Sequence, residues 1–343
     1  MVEAVCRGGL STHAEAMSGA RGTQEGAQYY NGVDRAFGGV LVALVSEPAQ
    51  SWKQSADLPD SIVLRLRWAV CGLRGVAAAA SEAPTAVAVY RERLAPVLAQ
   101  LPTLLASLVG AVAGKPAEEC TQQLITTQQT FKLLSTVAHQ PLPYLSAAES
   151  NPFYEVVVNC LSVIGQHAAQ PPFSAGEGEE RPKVVTALVN LLSKLTTKCF
   201  VDFGEDDAAS PDSASNAVMG AVFTCLGFVL PLISVELLAS TQKLHYAYFE
   251  LVPFLVENFP VLHSYATRFC ALCRWSLQAP VSITLHEFSA AQVRVAGLPE
   301  TMFMTIMQSL EYGLSSAAHI GGTTTTARSC LTAIGAMAAE SLR

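Results

Sequence analysis

Three groups of residues in this 343-residue chain carry atoms suited to chemistry. Asp202, Glu205, Asp206 and Asp207 form its densest acidic cluster. Carboxylates can ligate a hard cation, but the run lacks the Gly-centred loop and closing glutamate of a calcium site. It reads as a solvated loop or as a contact for a basic protein partner. His263, Cys270, Cys273 and His286 place two imidazoles around a Cys-x-x-Cys pair, the donor types that zinc takes. The spacing before Cys270 matches no common zinc finger, and Ala271-Leu272 makes the run equally a helix with two core thiols. Gly110-Ala-Val-Ala-Gly114-Lys115 has the outline of a phosphate loop. It is one residue short between its glycines, Pro116 stands where Ser or Thr would meet magnesium, and no strand leads into it. It reads as the loop after a helix. No Ser/His/Asp, Cys/His or paired-carboxylate set falls on one site by spacing. The expectation is therefore a non-enzymatic chain with no catalytic residue, cofactor or metal.

The elements around these groups are helical. From Lys183 to Lys198, Val184, Leu188, Leu191, Leu192 and Leu195 recur at three- and four-residue steps, with Thr186, Asn190, Ser193 and Lys194 on the other side. That is the 3.6-residue period of a helix with one buried stripe. Pro182 suits its first turn, where a missing N–H loses nothing, and Gly204 marks its end. Leu244, Tyr248, Leu251, Val252, Leu255 and Phe259 make a second stripe, closed by Pro260. Between them, Ala217 to Val235 carries no charge over a length that could span a bilayer. Gly220, Gly227 and Pro231 interrupt it and no Lys or Arg flanks it, so it reads as a buried helix rather than a membrane span.

The remaining chain follows the same logic. Residues 1–27 are small and polar, Val33–Val45 suits a short helix and Pro48 to Asp57 reads as a linker, so 1–60 is expected to be a poorly ordered N-terminal segment. No apolar h-region is present, so no secretory signal is expected. Asp60 or Ser61 can cap a helix from Ile62 to about Ala80. Pro84 opens a longer helical region to about Ala113, with breaks expected at Pro96 and Pro102. Further helices are expected at Glu118–His139, with Leu124, Phe131, Leu134 and Val137 inward, and at Pro152–His167, with Val156, Val157, Cys160, Leu161 and Ile164 inward. Pro299–Ser315 and Thr323–Leu342 close the chain, and strand alternation is confined to Ala279–Leu285 and Val293–Ala296. Helix starts near residues 62, 118, 182 and 241 suggest helix pairs repeating every sixty or so residues, an irregular α-solenoid of HEAT-like hairpins. The divisions expected are repeats over 61–261, an insertion or irregular loop over 262–297 and a C-terminal hairpin over 298–343.

Composition narrows the function classes. Half of the residues are apolar and 14 % are charged, so burial is extensive. The formal charge of −7 argues against nucleic acid as the main partner, because phosphate binding needs clustered Lys and Arg. Nine cysteines without regular spacing, Cys71, Cys160 and Cys225 on apolar stripes among them, read as reduced core thiols of an intracellular protein.

Four ordered segments add a resemblance. Leu188-Val-Asn-Leu-Leu-Ser-Lys-Leu-Thr-Thr-Lys-Cys-Phe-Val-Asp-Phe203 with its acidic loop, Cys225–Leu238, Tyr246–Pro260 and Leu298–Leu314 resemble the C-terminal portion of the exportin-4 family, nuclear transport receptors of the importin-β superfamily. Gln140–Leu145 adds a weaker match. The resemblance implies a right-handed superhelix of HEAT repeats that binds Ran-GTP together with cargo such as translation initiation factor 5A or Smad-type proteins. It implies passage through the pore on nucleoporins, shuttling between nucleus and cytoplasm, and no nucleic acid or membrane. Such receptors are several times longer, so the chain is expected to be a C-terminal portion. Leu262–Gly297 has no counterpart in the family pattern. The other reading is a generic α-solenoid scaffold without Ran dependence.

Overall fold

The computed structural model describes residues 59–80, 83–174, 178–201, 224–258, 306, 308–313, 326 and 328–333. Every regular element among them is helical. The chain divides into two compact units, Met1–Leu232 and Ile233–Arg343.

The first unit begins with α1 (Asp60–Ala79). Its start differs from the expectation: neither Asp60 nor Ser61 caps it. Pro59 is the N-cap and has no side-chain bond to offer; its carbonyl accepts from the amides of Ile62 and Val63. Asp60 instead lies in the first turn, where its charge suits the helix dipole.

The expected long helix over residues 84–113 is a series. α2 (Ala83–Val89) runs into a π-turn (Tyr90–Leu94), then α3 (Ala95–Leu98), and, past a turn at Ala99-Gln100, α4 (Leu101–Val112). Both proline positions are visible in it. Pro96 has no N–H for the Glu92 carbonyl and its ring would crowd that carbonyl; just before it the register widens, and the Ala95 amide reaches back to the Tyr90 carbonyl. At Pro102 the helix breaks and restarts. The run Ala86–Val112 is long and apolar enough to cross a membrane by length and composition. Arg91, Glu92 and Arg93 lie within it, and Leu94, Val97, Leu101, Leu104 and Leu108 are buried in the fold.

A 3₁₀ turn (Ala117–Cys120) leads into α5 (Thr121–His139), whose Leu124, Phe131, Leu134 and Val137 are buried as expected. α6 spans Ala147–Gln166, beginning five residues earlier than Pro152. The reason is a capping box, Ser146 with Glu149, which satisfies two amides at its start. Pro152 is carried inside the helix, and Phe153 and Tyr154 join the buried set while Val156 is half-buried. α7 (Glu180–Val201) buries Val184, Leu188, Leu191, Leu192 and Leu195. α8 (224–229) passes into a 3₁₀ turn at Leu230–Leu232, so the uncharged run is not one helix to Val235: Pro231 closes it.

These elements make two layers. α5 packs between α1 and α7, and α4 packs on both α5 and α6. Gly165 of α6 lies against the Phe228 ring of α8, so closely that a methyl group there would overlap the ring.

In the second unit, α9 (Val235–Ser240) starts at Ser234, whose hydroxyl accepts from the Leu237 amide. α10 (Gln242–Asn258) follows and buries Leu244, Tyr248, Leu251 and Val252, four of its expected stripe. Helical turns at 308–313 and 328–333 supply Leu310, Cys330 and Ala333 to the same core. Among the described residues, Cys71, Cys120, Cys160, Cys225 and Cys330 are free thiols, and all but half-buried Cys71 are buried.

Candidate interaction surface

The α1–α5–α7 layer is built with a constant sequence offset. Arg67 Nη1 donates to Gln122 Oε1 at 2.9 Å, and Arg74 Nη1 donates to Gln129 Oε1 at 2.6 Å. Both pairs are 55 residues apart. Advancing one heptad on α1 advances one heptad on α5, so the two helices run in the same direction. Gln128 of α5 then donates to the Lys183 carbonyl of α7 at 3.4 Å, again across 55 residues. The second layer has a comparable link. Tyr90 donates its hydroxyl to the Glu149 carbonyl across 59 residues, and Arg91 donates to the Glu149 carboxylate. The Arg91 bond and those from Ser146 hold that carboxyl down at about 2, while burial first and the Glu149 charge second push the Tyr90 phenol up to about 12.

Apart from the exposed Trp68 and the first-turn Asp60 of α1, the residues left at the outer surface of the layer are polar or basic. Arg67 and Arg74 lie on the shoulder of α1 beside α5. Gln122 is exposed on α5, with Gln129 and Lys132 half-buried on the same stripe. Lys183, Asn190 and Lys194 form the exposed stripe of α7. Lys183 is paired with Glu180 at 2.7 Å and Glu179 at 3.6 Å. Beneath this surface α5 buries Thr126, Thr127 and Thr130, polar residues that the apolar stripe gave no reason to place inside. Thr126 and Thr130 are tolerated because each hydroxyl donates to the carbonyl four residues back, Gln122 and Thr126 respectively.

At one end of α7, Arg181 joins three segments. Its Nε donates to the Phe173 carbonyl at 2.7 Å and its Nη2 to the carbonyls of Ser174 and Leu232 at 3.5 and 3.3 Å. Burial lowers the pKa of this guanidinium, and the carbonyls of a turn, Phe173 and Ser174, and of the end of a 3₁₀ turn, Leu232, supply the negative partial charge that faces it.

The sequence-derived candidates fall as follows. Asp202, Glu205, Asp206 and Asp207 lie outside the described residues, as do His263, Cys270, Cys273 and His286, the stretch 262–297, both expected strands, the helix at Val33–Val45 and nearly all of residues 1–60. The glycine run after α4 is described. Gly110 is helical, Gly114 turns the chain at φ +79, and its amide donates to the Pro171 carbonyl at 2.8 Å. That amide is committed to the fold; Gly110 to Val112 are the last turn of α4 and only Ala113 to Lys115 form the loop after it, whereas the sequence reads as loop over the whole run. Among the described residues no group of three or more His, Cys, Asp and Glu could hold a metal ion.

In the second unit the polar contacts cross between helices. Tyr248 and Ser309 hydroxyls are 2.8 Å apart, and Ser309 also donates to the Ile306 carbonyl at 2.6 Å. His245 Nε2 is 3.1 Å from the Thr326 hydroxyl, and its ring lies 4.8 Å from Phe249 and 6.1 Å from Tyr312. Burial lowers the imidazole's pKa, which favours the neutral ring.

No known family model matches the chain.

Proposed function

We propose that the chain is a non-enzymatic, protein-binding α-solenoid segment, and that it serves as a C-terminal portion of an exportin-4-like nuclear transport receptor. The observation that carries the solenoid reading is the repeated 55-residue offset of Arg67–Gln122, Arg74–Gln129 and Gln128–Lys183. Parallel helices stacked at one offset are what a chain of helical hairpins produces, each burying on its neighbours the face it cannot bury alone. Helix starts at Asp60, Thr121, Glu180 and Gln242 recur at a similar but longer interval of about sixty residues along the sequence. The four segments between Leu188 and Leu314 that resemble the family support the transport reading. In it the chain binds protein cargo together with Ran-GTP, meets nucleoporins, shuttles between nucleus and cytoplasm, and needs no cofactor, nucleic acid or membrane. Cargo of the initiation factor 5A or Smad type is the expectation that the resemblance brings. The acidic cluster Asp202, Glu205, Asp206 and Asp207 is the contact proposed for a basic partner surface.

The test is retention of Ran on immobilised chain, GTP form against GDP form, with and without initiation factor 5A. Preference for the GTP form, strengthened by cargo, supports the exporter segment. Equal retention in both nucleotide states favours a scaffold without Ran dependence, which the same stacked layer serves equally well.

A further inference from the structure

We propose that the outer face of the α1–α5–α7 layer is a docking surface for an acidic protein segment. The proposal does not depend on the transport reading, since it concerns the layer itself and involves neither Ran nor cargo. The chain as a whole is acidic, with a formal charge of −7, yet this layer is the reverse. Asp60 and Glu180 are the only carboxylates on its three helices, and both stand in first turns. Arg67, Arg74, Lys132 and Lys194 stand well inside the helices.

Helix dipoles explain acids in first turns and bases in last turns, but that effect fades within a turn of each end. Mid-helix cations need another reason. The offset matters here, because it puts the two acidic first turns, those of α1 and α7, along one edge; α5 has no acid in its first turn, and the charged residues farther along the three helices are basic. The Arg67 guanidinium has five N–H donors; Gln122 takes one of them and holds the planar fork in place. A guanidinium so oriented is suited to a carboxylate, which accepts two parallel bonds.

Spacing selects the partner. Arg67 and Arg74 are about 10 Å apart along α1, and neighbouring helices lie about 8–10 Å apart. An extended peptide rises about 3.3 Å per residue, so carboxylates three residues apart match the spacing of Arg67 and Arg74, and a gap of about four residues spans from Lys132 to Lys194. Gln122, Gln129 and Asn190 between the cations are amides that suit the intervening peptide groups. Single-stranded polynucleotides also use stacking platforms beside a cationic groove. Trp68 is the exposed aromatic of this layer, so an oligonucleotide is a comparator in the test.

The experiment uses the full chain and a fluorescein-labelled polyglutamate peptide in fluorescence anisotropy, with polylysine and a single-stranded oligonucleotide as comparators. Polyglutamate is expected to bind at low salt and to weaken as salt rises. The double variant Arg67→Gln/Lys194→Gln is expected to lower its affinity about tenfold, at roughly 0.5–1 kcal/mol per exposed charge. Lys194→Gln alone leaves the α1–α5 bonds intact and should account for about a threefold loss. Lys243→Gln, an exposed change on α10, should leave affinity as it was. An unchanged thermal melt shows that the variants keep the fold. Absence of polyglutamate binding, binding indifferent to Lys194→Gln, or an oligonucleotide bound more tightly and lost in the same variants would each overturn the proposal.

Discussion

Helix α5 of the first unit and helix α10 of the second each bury an apolar stripe, and they handle their buried hydroxyl groups differently. On α5, Thr126 and Thr130 satisfy their hydroxyls on their own helix. The cohesion toward α1 and α7 is then mainly apolar; Arg67–Gln122 and Arg74–Gln129 link α1 to α5 at or near the surface, and the buried Gln128 leaves its own helix to reach the Lys183 carbonyl of α7. On α10, Tyr248 and His245 reach out of their helix to Ser309 and Thr326, which are buried. A helix that is polar-satisfied internally needs from its neighbour only a greasy stripe of the right width. A helix that shares buried hydrogen bonds accepts one neighbour in one register, since any slip leaves donors unpaired. The first arrangement suits repetition, the second a fixed end.

The contrast is open to attack. Phe131→Ala removes a fully buried ring from the centre of α5 and should cost about 3–5 kcal/mol. Urea denaturation followed by circular dichroism measures it, and a cost under about 1 kcal/mol would deny that apolar contact holds this layer. Gly313→Ala comes next. Its methyl group would stand 2.6 Å from the Cys330 sulfur and 2.7 Å from the Phe249 ring, so overpacking of about 1–3 kcal/mol is expected in the second unit. Tyr248→Phe should cost about 1 kcal/mol, because Ser309 keeps its bond to the Ile306 carbonyl. Thr130→Val is the counterpart on α5 and should cost less than Tyr248→Phe, since it removes donor and hydroxyl together and deprives only a helical carbonyl. Reversal of those two costs would dissolve the comparison.

Acid should separate the units too. His245 has its pKa lowered below the ordinary 6.5, so the unfolded chain takes up a proton more readily. Its contribution to stability is whole above 6.5 and is lost as pH falls through the window beneath that value. Glu149, held at about 2 against an ordinary 4.5, contributes fully above 4.5 and loses its contribution only as pH falls from there toward 2. Amide hydrogen exchange between pH 7 and 4 should therefore show α10 losing protection before the start of α6, and His245→Gln should remove the earlier step. Both amplitudes are small.

The stripes of α5, α7 and α10 were legible because apolar residues at three- and four-residue steps have few other uses, and Leu124, Leu188 and Tyr248 are buried where periodicity put them. The α6 start was also written in the sequence, as Ser146-x-x-Glu149, but Pro152 is the louder signal and pointed to the wrong turn. Thr126 and Thr130 were hidden for a physical reason: a hydroxyl that bonds its own helix leaves no mark on the pattern. The basic face was hidden more deeply. Its cations are scattered over residues 67–194 and meet only once helices are laid side by side at a fixed offset. An acidic total in the composition pointed the other way.

That offset also has a temporal side. While the chain is being synthesised, α1 leaves the ribosome before the helix that covers its α5-facing side, and its partner Gln122 follows 55 residues after Arg67. At about 5–20 residues per second the wait is roughly 3–11 s. α5 then waits a similar interval for Lys183. Within this layer α5 shelters the stripe of α1 and is sheltered in turn by α7. The uncovered apolar face, and with it the exposure to aggregation, moves along the layer with the growing end.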